Sequence, residues 1–152
     1  PSMPRCAAPA CAGRLAGVSN YFRDGTALPR RLNEFAILVV ARQWNSAFEW
    51  HAHCASAIEA GLDVQVAQDL SNGKRPAAMK DDEALVYDAA MELQREHRMS
   101  DATFERCRAV LGERQLIDLV GVCGYYTLVA MMLATANVVP GNPPPAGVPA
   151  LA

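Results

Sequence analysis

Trp44-Asn45-Ser46-Ala47-Phe48-Glu49-Trp50-His51-Ala52-His53-Cys54 is the stretch on which the reading of this chain turns. It holds both tryptophans, two of the three histidines and one of the five cysteines. The spacing predicts a helix over 46–60 that stops at Gly61, a residue suited to the left-handed C-cap conformation. Side chains three and four apart share a helix face, so Ser46, Glu49 and His53 line up, with Trp50 and Cys54 close beside them. A carboxylate so placed can orient an imidazole and raise its basicity, and histidine titrates near neutral pH. The plain alternative is an ion pair on a helix surface. Ala47, Phe48, Trp50, Ala52 and Ala55 leave little polar surface here, so Glu49 and His53 are expected to face protein or a pocket.

Upstream, Leu32, Phe35, Ala36, Val39 and Val40 recur at helical spacing behind Leu28-Pro29-Arg30-Arg31, giving a first core helix that carries Glu34. Downstream, a short helix over 64–70 ends in Ser71-Asn72-Gly73-Lys74-Arg75-Pro76, and Asp81-Asp82-Glu83 places acid at the opening of the next. Ser100 is an N-cap for a helix running to Leu111-Gly112. The last helix, from Glu113 to Ala136, is apolar nearly all round, as expected of a bundle centre or a subunit interface. Strand alternation and internal repeats are not evident, so the expected fold is all-α, a bundle of about six helices. Residues 1–22 read as an N-terminal extension or tail, 23–140 as the helical domain, and 141–152, with Pro143-Pro144-Pro145, as an extended or disordered tail.

At 152 residues the chain suits one domain. A net charge of −2, from 14 basic and 16 acidic residues, supplies neither a basic surface for nucleic acid nor one for anionic membrane. The five cysteines include no C-x-x-C pair and do not form a disulfide framework, which points to a reducing cytoplasm. Residues 1–23 lack the apolar core of a signal peptide. The apolar run over 116–139 is broken by Asp118, Gly121, Gly124, Tyr125, Tyr126, Thr127, Thr135 and Asn137, so a buried helix is expected there, not a membrane span.

Leu28-Pro29-Arg30-Arg31-Leu32-Asn33-Glu34, Glu49-Trp50-His51-Ala52-His53, Ala60-Gly61-Leu62, the segment from Gly112 to Val120, Gly124-Tyr125-Tyr126 and Asn137 together resemble the carboxymuconolactone decarboxylase family, which includes the AhpD-like alkylhydroperoxidases. The resemblance covers roughly residues 20 to 140 and implies an all-helical protein assembled as a trimer or hexamer. The peroxidase branch places a glutamate, two cysteines and a histidine at offsets that fall on Glu34, Ser46, Glu49 and His53, so both cysteines are missing here. A dithiol peroxidase needs one thiolate to attack peroxide and a second thiol to resolve the sulfenic acid, and serine and glutamate do neither. The decarboxylase branch likewise lacks that pair and carries a Glu and a His four apart, as Glu49 and His53 stand.

The leading expectation is therefore a cofactor-free acid/base enzyme, carboxy-lyase-like, acting on a small carboxylated or lactone-like molecule. His53 is the proton donor or acceptor, Glu49 its partner and Glu34 a second carboxylate, while Trp50, Arg42 and Tyr126 are candidates for substrate binding. A redox alternative moves peroxidase chemistry to Cys54, with Cys107 or Cys123 as resolving thiol; a third reading is a non-catalytic oligomeric ligand-binding relative. Glu34, Glu49, His51 and His53 are metal-ligating types, but His51 and His53, two apart, point to different helix faces, and no metal is expected.

Overall fold

The structure, a computed structural model, describes residues 9–152. Its centre is the helix over Arg30–Gln43, α2, since α1 precedes it over Pro9–Asn20. Every residue from Leu32 to Ala41 is buried: eight of the ten are apolar and lie on all sides of the helix, which only neighbours on all sides can cover, and Asn33 and Glu34 are carried inward with them. Those neighbours are α3 (Ala47–Glu59), α5 (Asp81–Arg95) and α6 (Asp101–Thr135), with the short α4 (Val64–Ser71) closing one end. The all-α bundle of about six helices expected from the sequence is the architecture observed, with six α-helices among the described residues.

Local chemistry sets most boundaries. Asp63 caps α4 by accepting from the Gln65 N–H at 2.7 Å, and Ser100 caps α6 by accepting from the Thr103 N–H at 3.3 Å. The two helices expected on either side of Gly112 are the two arms of α6, which breaks at that glycine, whose φ of 76° and ψ of 168° lie in a region open essentially to glycine alone. Of the two readings of the apolar last helix, bundle centre or subunit interface, the first is corrected: α2 holds the centre, and α6 leaves Ile117, Leu128, Met131 and Met132 exposed. By length and composition α6 could cross a membrane, yet 44% of its apolar window is buried inside the bundle.

Both presumed tails carry structure. The N-terminal extension is helical from Pro9, and residues 1–8 of it lie outside the described residues. A π-helical turn over Tyr21–Gly25 then straps the extension onto the bundle. Asp118, buried on α6, accepts from the Tyr21 hydroxyl and from the Ala27 N–H, each at 2.7 Å. Asn33 donates to the Phe22 carbonyl at 2.9 Å and accepts from Thr26 at 3.1 Å. Phe22 sits so close to α6 that a Cβ at Gly121 would stand 2.5 Å from its ring, which is why glycine occupies that position. The proline-rich C-terminal segment is extended, as expected, and packs Val148 and Leu151 against the core.

Candidate active site

Two adjacent helices meet through a carboxylate and an imidazole. His53 Nδ1 of α3 lies 2.7 Å from Glu34 Oε2 of α2, with the side chains only 14% and 6% exposed. An ionised carboxylate can only accept, so the proton in this bond sits on Nδ1, and in the neutral ring Nε2 then carries the basic lone pair. This corrects the expected pairing within α3: the partner of His53 is Glu34, not Glu49. Four-residue spacing puts Glu49 and His53 on one face, but α2 packs against that face and supplies the nearer carboxylate.

Glu49 is 2% exposed, and neither of its carboxyl oxygens has a hydrogen-bond partner. Burial pushes its pKa up to about 7, against a smaller opposing pull from Ser46 and from His53. Ser46 Oγ is also buried and, though near enough to exert that pull, makes no hydrogen bond of its own. Ser46-Ala47-Phe48-Glu49, already singled out by its place on the His53 face, also has the S-x-x-E spacing of a capping box, yet the Ser46 side chain caps nothing. Ser46 instead lines a cleft of about 290 Å³ together with Ala47, Ala130, Leu133 and Val138.

Tyr126 is brought to the pair, its ring set edge-on to that of His53 with centroids 5.0 Å apart. Burial, and then the nearby Glu34 carboxylate, hold its phenol protonated well above the ordinary range. Behind it Tyr125 packs edge-on at 5.2 Å, and Phe22 of the strap stacks on Tyr125 at 5.7 Å. The N-terminal strap thus buttresses the wall of the site, a contact that local periodicity does not disclose.

The other expected site residues lie elsewhere. Trp50 is 1% exposed and belongs to the core, its indole N–H donating to the Pro149 carbonyl at 2.8 Å, so it offers no face to a substrate. Arg42 follows Glu34 by two helical turns, donates to Asn45 and lies over Gly73, so the structure does not bring it to the pair. Cys54 is fully buried, and burial pushes its thiol up to about 11, which leaves almost no thiolate at neutral pH. Cys123 is likewise buried and its thiol pushed up to about 12. Among the described residues no three His, Cys, Asp or Glu side chains converge in a way that could hold a metal ion.

The fold and this site define an all-α bundle with a buried carboxylate–imidazole pair between two neighbouring helices. Its fold is similar to the crystal structure of an uncharacterized peroxidase-related protein from Silicibacter sp. TM1040, with a TM-score of 0.72 over 85% of this chain and 69% of that one. The two are 20% identical, so the likeness is one of fold. No protein-family model matches this chain, and no curated protein does.

Proposed function

We propose that this chain is a cofactor-free proton-transfer enzyme of the carboxymuconolactone decarboxylase type, acting on a small carboxylated or lactone-like molecule. The observation that carries the reading is the 2.7 Å contact between His53 Nδ1 and Glu34, which leaves Nε2 as the basic nitrogen. In such a site Nε2 accepts a proton from carbon next to a carbonyl, the C–H electron pair passing into the enolate, and returns it later. In a decarboxylation the C–C electron pair stays on the substrate as CO2 departs, and the imidazolium delivers the proton to that carbon. Glu49, still half protonated at about pH 7, supplies a second acid, and the Tyr126 ring, edge-on to the imidazole, carries a neutral phenol.

The test uses small carboxylated lactones in D2O, with deuterium uptake at carbon and CO2 release followed by NMR. His53→Ala is expected to lose about 10²–10⁴-fold of the rate, the usual range for a general acid–base group. A loss below tenfold on a turned-over substrate would remove His53 from this role. The peroxidase reading on Cys54 has burial and a raised thiol against it, and predicts rapid, selective oxidation of that residue by an alkyl hydroperoxide; slow and unselective oxidation is expected instead. Assembly as a homo-oligomer belongs to the same proposal, supported by the exposed apolar side chains of Ile117, Leu128, Met131 and Met132 on α6.

A further inference from the structure

The C-terminal segment meets the bundle in a way that resembles a bound peptide. After α6 the chain runs through residues 141–147, which are largely exposed, and turns where the Val148 N–H donates to the Pro145 carbonyl at 3.0 Å. From there Val148 and Leu151 pack on the core and Pro149 is buried. Two hydrogen bonds tie this stretch to the bundle. The Trp50 indole donates to the Pro149 carbonyl at 2.8 Å, and the Ala152 N–H donates to the Ser71 carbonyl, at the end of α4, at 3.4 Å. Each of these features has a role in recognition of extended proline-containing segments. Proline fixes φ, so the segment loses little entropy on docking, and an indole N–H reads a backbone carbonyl. Apolar residues three apart fall on one side of a segment that repeats every three residues, as Val148 and Leu151 do.

We propose that the groove around Trp50, between α3 and α4, is a recognition site for extended segments of the form aliphatic-Pro-x-aliphatic, occupied here by residues 148–151 of the chain itself as an exchangeable latch. The latch is held by two hydrogen bonds and two aliphatic side chains, behind a long exposed lead, so its release costs far less than unfolding of the bundle. Trp50 stands between Glu49 and His53 on α3, so the latch bears on the helix that carries the candidate site. The proposal does not depend on the acid/base reading, because a groove can bind peptide whether or not His53 transfers protons.

The test is a Val148→Asp/Leu151→Asp variant of the full chain, whose charged side chains are expected to release the segment and shift Trp50 emission to the red. Trp44 is already partly exposed and contributes little to that change. Added peptide of sequence Pro-Pro-Pro-Ala-Gly-Val-Pro-Ala-Leu-Ala, the sequence of residues 143–152, is expected to reverse the shift saturably. Emission unchanged in the variant, or a shift that millimolar peptide leaves in place, overturns the proposal. Should the variant not fold, Trp50→Phe in the otherwise natural chain removes the indole donor and keeps a ring. Amide exchange at Ala152, whose N–H is held by the Ser71 carbonyl, is then expected to quicken about tenfold, as loss of one buried hydrogen bond in the same segment gives; unchanged exchange overturns the proposal.

Discussion

Two helices of this molecule carry a glutamate at the third position of their first turn, and the two carboxylates are treated in opposite ways. Glu83 of α5 and Glu49 of α3 are equally buried, at 1% and 2% exposure. Glu83 accepts from the Lys80 backbone N–H at 2.8 Å and from Arg31, which also donates to Asp82 at 2.6 Å. A lysine ammonium has no acceptor, so α5 has only the returning half of a capping box, yet its carboxylate is fully engaged. Glu49 follows a serine at the spacing a complete box requires, and neither half forms. A buried carboxyl without partners is held against its own interest, by roughly 1–3 kcal/mol or more for each polar group left unmet. One helix start engages its carboxylate within the fold; the other leaves its carboxyl unengaged.

The largest effect that would break this contrast is on folding. Glu83→Gln is expected to cost about 3 kcal/mol in a urea titration, since it removes one partner of a buried ion pair and leaves Arg31 short of charge. Glu49→Gln, which removes no hydrogen bond, is expected to leave stability at neutral pH unchanged or raised while turnover falls roughly tenfold or more. A Glu49→Gln variant that unfolds as readily as Glu83→Gln would make Glu49 a structural residue and end the comparison.

The second effect lies in the pH dependence of stability. The Glu49 pKa rises from an ordinary 4.5 in the unfolded chain to about 7 in the folded one, so between those values the folded chain binds the proton more tightly. Stability contributed by this group is therefore complete below pH 4.5 and is lost as pH rises to about 7, a change on the order of 3 kcal/mol. Thermal unfolding followed across that window should show a falling stability for the natural chain, and Glu49→Gln should remove this part of the slope. A slope that survives the substitution would assign it to other groups.

Much of the fold was legible because it rests on local rules. Helical spacing located α2 to α6, Ser100 announced a cap, and Gly112 marked an interruption within α6. Glu34, Glu49 and His53 were also legible as one cluster, since the same apolar periodicity that buries α2 and α3 carries them inward. The pairing was not, because four-residue spacing ranks contacts within a helix and says nothing of which carboxylate a neighbouring helix brings. Trp50 was misplaced for a similar reason: its partner, Pro149, is 99 positions away, in a segment whose composition reads as a tail. Arg42 was drawn aside by the turn after α2, where Asn45 takes a left-handed φ of 48° and accepts its guanidinium.

The smallest effect is the sharpest test, because it compares two serines that sequence rules treat alike. Ser100 and Ser46 both stand at N-caps, but only Ser100 accepts a first-turn N–H, from Thr103. Ser100→Ala should then cost about 1 kcal/mol, the usual value of a lost cap. Ser46→Ala should stay within roughly 0.5 kcal/mol, the range of changes that remove no interaction. If Ser46→Ala costs as much as Ser100→Ala, the box on α3 closes in solution, the Glu49 carboxyl is engaged by the N-cap backbone, and its raised pKa loses its cause. If the costs differ as expected, the α3 start is open while the protein is folded, and the Ser46 hydroxyl and the Glu49 carboxyl keep their hydrogen bonds unmade within the fold, as the proposed acid role of Glu49 requires.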